Sequence, residues 1–297
     1  MKGWKVVFQL VLAITLLGLA VYFVQQQQFE LERIVDLLAH ADKGMVSIGL
    51  IFTAILIGSH AALYFFSFRA LEKEVTYWEL IDLFLKRNVI SVLLPAGGFT
   101  SLSFFNKGLK NKGLTAEQIY LASYLYATIG LISVVIVGIP FIGIMYFVGH
   151  LDYTLLIGMV VLILFLIVLI LLFYSVWKQK WLYNYLVNKS PKLEQSINRI
   201  VEEKFMLKPL LWALLASIMI EIIGVIHMYI SLEAIGVQPD IVACILAYIA
   251  MIILLLASPF LRGMGAIEVS MTFILMKYGY TASSTFFCCL KLIYNFC

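Results

Sequence analysis

Three kinds of residue in this chain are costly where they stand. Residues 258–271, SPFLRGMGAIEVSM, follow a long apolar run and break it with Ser258 and Pro259. They then place Arg262, Gly263, Gly265 and Glu268 where hydrocarbon would otherwise be expected. Glu221 lies in the middle of another apolar run, with His227 one to two turns on and Glu233 nearer its end. A third stretch, NVISVLLPAGGFTSLSFF (88–105), is interrupted by Pro95, Gly97 and Gly98 and is flanked by lysines. A charge at bilayer depth costs from about 2.5 to over 10 kcal/mol and is kept where it faces a cavity or a partner. Broken backbone is tolerated at that depth only where protein or water satisfies the freed N–H and C=O groups. These residues read as a site that faces a cavity, a substrate or a partner within the membrane. An internal Arg262–Glu268 or Arg262–Glu221 ion pair that holds the break in shape is the alternative.

The rest of the chain has to position those groups in lipid. Its 297 residues are 63% hydrophobic and 13% charged, with a mean hydropathy of +1.01. Soluble domains are nearer ~45–50% apolar and ~25% charged. The apolar residues come in continuous runs of spanning length rather than in the alternation of a β-barrel strand. The expected fold is an all-α polytopic membrane protein with about six to eight membrane segments. Two of these are Pro/Gly-broken re-entrant elements, and the whole is a single membrane domain, 1–297. Spans are expected at 6–24, 45–66, 116–148, 155–177, 209–235 and 241–257, with a last one starting at 281. Residues 29–43 read as an amphipathic segment along the outer interface, and 155–177 as a lipid-facing packing helix.

The net charge of +4 does not mark a nucleic-acid partner, because the basic residues sit in loops and report orientation. With the N-terminus in the cytoplasm, 16 of the 21 Lys/Arg fall on the cytoplasmic side. Seven of those 16 lie in the polar connector 177–208, which separates a first half (about 1–176) from a second (about 209–297). At ~30 residues the connector is too short for a catalytic domain, and its place is against anionic headgroups. The broken segments enter from opposite sides, one in each half, which predicts an inverted repeat with a site at the midplane. His60 is a lone histidine within a span. Cys244, Cys288, Cys289 and Cys297 lie in apolar segments without metal-ligand spacing and read as packing residues. No metal or cofactor is expected.

NVISVLLPAGG and SPFLRGMGAIEVSM resemble the two signature segments of the membrane region of bacterial lysylphosphatidylglycerol synthase/flippase proteins, the multiple peptide resistance factor family. The resemblance covers nearly the whole chain. It implies a plasma-membrane protein that moves lysylphosphatidylglycerol from the inner to the outer leaflet and so protects against cationic antimicrobial peptides. The phospholipid is then the partner, and Arg262, Glu268 and Glu221 with the two breaks are its binding residues. Full-length members carry a C-terminal cytosolic domain that transfers lysine from lysyl-tRNA to phosphatidylglycerol. The present sequence lacks it and ends in LKLIYNFC, where members have an arginine near the position of Asn295 and continue into further helices. The expectation is a truncated chain or a stand-alone flippase-like module, without catalysis of its own. It would act as a homo-oligomer or with a separate synthase domain. The alternatives are a phosphatidylglycerol lysyltransferase as part of a longer or partnered protein, and a transporter or transferase of lipid-linked glycosyl carriers.

Overall fold

A computed structural model of the chain describes residues 40–93, 109, 113–148, 153–188, 191–257, 275–276 and 278–280. The described residues form eight helices and no strand: α1 Lys43–Ala70, α2 Tyr77–Leu93, α3 Ala116–Val148, α4 Tyr153–Trp177, α5 Trp181–Val187, α6 Pro191–Glu202, α7 Leu207–Ala234 and α8 Ile241–Ala257. Four of them hold stretches long and apolar enough to cross a bilayer: Lys43–Ala70, Ala116–Gly143, Leu156–Trp177 and Leu207–Ala234. The protein is a multi-pass, all-helical membrane protein.

The frame is the antiparallel pair α1 and α7. Each has 28 residues, about 42 Å at 1.5 Å per residue, and so overruns a ~30 Å hydrocarbon core by about 6 Å at each end. Backbone hydrogen bonds tie both ends of the pair. Asp42 N donates to Ala234 O at 2.8 Å, and Met206 N donates to Ala70 O at 2.9 Å. Asp42 also caps α1, its side chain accepting from Met45 N at 2.8 Å. The other end of α1 closes with Lys73 N on Phe68 O and Glu72 N on Arg69 O, both at 3.0 Å. Glu72 stands at φ 57 in that Schellman turn, where glycine is usual. Gly236, at φ 74, fills the same place after α7.

Helix α3 starts beside the end of α1 with a capping box. Thr115 N donates to Gln118 Oε1 at 3.1 Å and Gln118 N donates to Thr115 Oγ1 at 3.3 Å. It packs against α1, α7 and α4. Gly138 makes room for the end of Met159, since a Cβ there would lie 2.7 Å from Met159 Cε. Helix α4 has Met159, Leu162 and Leu166 buried, while Ile157, Val161, Leu164, Val168 and Leu171 are exposed at alternating spacings of four and three. Both faces of this helix are apolar, as expected for one packed on protein on one side and on lipid on the other.

Residues 88–93, the apolar run before the break at Pro95, are the last turns of α2; residues 94–105 lie outside the described residues. Two features of the fold were not read from the sequence. The first is the packing of α2 against α1. Tyr77 OH donates to Gly58 O at 2.7 Å, Phe84 stacks on His60, and Arg87 reaches Tyr64 and Tyr126. Tyr77 to Arg87 of α2 thus meet α1 between Gly58 and Tyr64, so α2 crosses it at an incline and reaches α3 through Arg87. The second is the packing of the connector. It folds into α5 and α6, and α6 docks on the start of α3 through Ser196 Oγ to Glu117 Oε1 at 3.0 Å and Arg199 to Glu117 at 3.6 Å. The next residues join it: Glu203 accepts from Gln118 Nε2 at 2.7 Å and pairs with Lys73 at 3.3 Å. This end of the bundle, which carries Arg69, Lys73, Lys178, Lys180, Arg199, Lys204 and Lys208, is its basic end.

Candidate functional site

Glu221 is halfway along α7, about 21 Å from Leu207 at 1.5 Å per residue. It lies on the buried stripe Ala213, Ser217, Ile220, Glu221, Gly224, His227 and Ser231. Its side chain is 5% exposed. Tyr248 of α8 donates its hydroxyl to Oε2 at 2.8 Å. Ser133 of α3 donates to Oε1 at 3.1 Å. The Ser133 and Ser217 hydroxyls lie 2.7 Å apart. A serine has one proton to give, and Ser133 Oγ also lies 2.7 Å from the Gly130 carbonyl; when Ser133 donates to the carboxylate it leaves Gly130, and Ser217 is the donor to Ser133. Three helices are joined through one carboxyl group.

The reach of Tyr248 depends on a glycine. A Cβ on Gly224, one turn beyond Glu221, would lie 2.2 Å from Tyr248 Cε2 and 2.6 Å from its hydroxyl oxygen. The ring therefore lies directly on the α7 backbone, and that approach is what brings the hydroxyl to Glu221. Two hydroxyls satisfy the carboxylate oxygens without neutralising charge. Among the described residues no Lys, Arg or His forms an ion pair with Glu221. An acceptor-only carboxylate in that setting favours a cation at the centre of the bundle.

Further polar groups lie on either side. Toward the end opposite the basic one, His227 is fully buried, with Nε2 3.1 Å from Thr53 Oγ1. Toward the basic end, His60 Nδ1 is 2.7 Å from Tyr126 OH, and Tyr126 stacks on Tyr64 at 3.9 Å between centroids. Tyr126 and Ser133 are seven residues apart on α3, two turns along one face. Histidines and hydroxyls thus occur at three levels between α1, α3 and α7.

Of the residues the sequence singles out, Glu221 is placed in this way. Arg262, Glu268, Ser258, Pro259, Gly263 and Gly265 lie outside the described residues, as do Pro95, Gly97 and Gly98. Helix α8, which brings Tyr248 to Glu221, ends at Ala257, immediately before Ser258. The sequence reading passed over Tyr248, Ser133 and Ser217. Tyr248 is the one hydroxyl-bearing side chain in IVACILAYIAMIILLLA, which is a usable signal. Ser133 carries no such mark. Cys244 is buried with a free thiol, in keeping with a packing role.

A family model described as the lysylphosphatidylglycerol synthase TM region matches residues 6–290. No curated protein and no solved structure matches the chain.

Proposed function

From the membership of this chain in the lysylphosphatidylglycerol synthase TM-region family, which gives it a membrane function concerned with lipid, we propose that it translocates aminoacylated phosphatidylglycerol from the inner to the outer leaflet. The observation that carries the proposal is Glu221: a carboxylate at half the depth of the bundle, held by hydroxyls from two other helices and without a cation among the described residues. Lysylphosphatidylglycerol has one phosphate and two ammonium groups. Glu221 meets an ammonium as the headgroup passes the midplane. Arg262 takes the phosphate through its planar fork, and Glu268 takes the second ammonium. The segments at Pro95, Gly97 and Gly98 and at Ser258, Pro259, Gly263 and Gly265 supply backbone N–H groups. Opposite charges along one path lower the cost of moving the headgroup through hydrocarbon while the acyl chains remain in lipid.

The setting is the bacterial plasma membrane, with the N-terminus and the basic end in the cytoplasm by the positive-inside rule. The outcome for the cell is a less anionic outer surface and resistance to cationic antimicrobial peptides. The test is to supply lysylphosphatidylglycerol to cells or proteoliposomes containing the chain and label outer-leaflet amines with an impermeant reagent. Wild type raises the labelled fraction. Glu221→Gln lowers it by about tenfold, equivalent to roughly 1.4 kcal/mol at the barrier. Unchanged labelling with intact expression removes Glu221 from the path. A second reading, favoured by the word synthase in the family description, makes this the membrane part of a lysyltransferase. New lysyl-lipid in cells expressing the chain alone would select it.

A further inference from the structure

Arg87 stands where α2 crosses α1 and meets α3. Its Cζ is 5.6 Å from the ring centroid of Tyr64 and 5.6 Å from that of Tyr126, and Nη1 donates to Tyr64 OH. Tyr64 is fully buried and is stacked on Tyr126. His60 holds Tyr126 through its hydroxyl and is itself backed by Phe84. The guanidinium is thus oriented by aromatic faces. It has five N–H donors, of which Tyr64 takes one. Its Nε is buried without a hydrogen-bond partner among the described residues.

Its neighbours differ from it in one respect. Arg69 pairs with Glu74, Lys73 with Glu203, Lys86 with Asp82 and Arg199 with Glu117. Among the described residues Arg87 has no carboxylate. Glu79 is two turns back on α2, about 12 Å along the axis, and Asp82 is engaged by Lys86 at 2.6 Å. The depth is also telling. Tyr64 is about 9 Å from the end of α1, and that end overruns the hydrocarbon by about 6 Å. The guanidinium therefore lies toward the basic end of the bundle, the depth at which headgroups stand if α1 is centred on a ~30 Å core.

We infer that Arg87, framed by Tyr64 and Tyr126, binds the phosphodiester of an anionic phospholipid from the leaflet at the basic end of the bundle. The planar fork matches two phosphate oxygens, the lipid supplies the missing negative charge, and the acyl chains stay in the bilayer. The site rests on the membrane-lipid reading above but does not require translocation.

The test is binding, read apart from transport. Purified full-length chain is titrated with phosphatidylglycerol or phosphatidylcholine in mixed micelles, following thermal midpoint and bound lipid by native mass spectrometry. Wild type retains phosphatidylglycerol at least about tenfold more tightly than phosphatidylcholine, a margin expected of one charge-assisted contact. Arg87→Gln loses that margin, and Lys86→Gln, on the exposed neighbour, keeps it. Equal retention of both lipids by wild type, or an undiminished margin in Arg87→Gln, overturns the inference. Where Arg87→Gln does not fold, Arg87→Lys, which keeps the charge and loses the planar fork, replaces it: a reduced margin supports the site and an undiminished one overturns it. Inorganic phosphate at millimolar concentration leaves the margin intact; competition by it would assign the site to a soluble phosphate and overturn the lipid source. A lost margin in Arg87→Gln with no translocation by wild type keeps this site and removes the flippase reading. Translocation by wild type with an undiminished margin in Arg87→Gln does the reverse.

Discussion

The Glu221 and Arg87 clusters hold a charge in the same bundle by opposite means. Glu221 is satisfied by hydroxyl protons from α3 and α8, at a place where the backbone itself gives way at Gly224. Arg87 is held chiefly against ring faces, with one hydroxyl as acceptor. A carboxylate is acceptor-only and needs directional O–H donors, whereas a guanidinium can rest on the negative face of a ring and keep its donors for something else. The difference teaches that the midplane group has its oxygens hydrogen-bonded but no cation among the described residues, while the group at the basic end is oriented yet has donors to spare. The hydroxyl should matter at the first site, and the ring at the second.

The largest expected effect breaks the first site sterically. Gly224→Ala puts a methyl into the Tyr248 ring, so that the ring must leave Glu221. Overpacking of this kind costs about 1–3 kcal/mol, read by denaturant or thermal unfolding in detergent. Pairing it with Tyr248→Ala recovers most of the loss in a double-mutant cycle; additivity would mean that the two do not touch.

The next experiment compares two hydroxyl deletions. Tyr248→Phe strands one oxygen of Glu221 and costs about 1–3 kcal/mol. Tyr126→Phe keeps the ring beneath Arg87 and loses the bond to His60, with a net cost of about 0.5–1.5 kcal/mol. It leaves the lipid preference of Arg87 intact. Equal losses in both, with loss of lipid preference in Tyr126→Phe, would erase the distinction between the clusters. The smallest effect is the control: Asp82→Asn removes the exposed partner of Lys86 and shifts stability by no more than about 0.5 kcal/mol. A larger shift would mean that charge near Arg87 is less screened than its exposure implies.

Much of the fold was legible because lipid imposes a simple rule on sequence. A run of apolar residues long enough to cross must be helical. Runs read at 45–66, 116–148, 155–177 and 209–235 correspond to Lys43–Ala70, Ala116–Val148, Tyr153–Trp177 and Leu207–Ala234. The cost of Glu221 was equally plain, since a carboxylate stands out in an apolar run whatever surrounds it. The crossing of α2 was not legible. YWELIDLFLKRNVISVL mixes charge and hydrocarbon in a way that suits a loop edge, an interface or a re-entrant helix. Packing against Gly58, His60 and Tyr64 decided among them. The docking of α6 was hidden for a similar reason, because Glu117, Arg199 and Glu203 look like any solvated charges until they are brought together.

By itself, then, the sequence determined that this is a helical membrane protein, where most of its spans lie, and that Glu221 had to be accommodated. These follow from hydrophobicity and segment length, which are local properties of the chain. Tertiary structure alone decided the partners: Ser133 and Tyr248 for Glu221, 88 and 27 residues away, and Tyr64 and Tyr126 for Arg87. A hydrogen bond or a ring contact depends on which helix faces meet at which depth, and that is set by the packing of small residues such as Gly224 against large ones such as Tyr248.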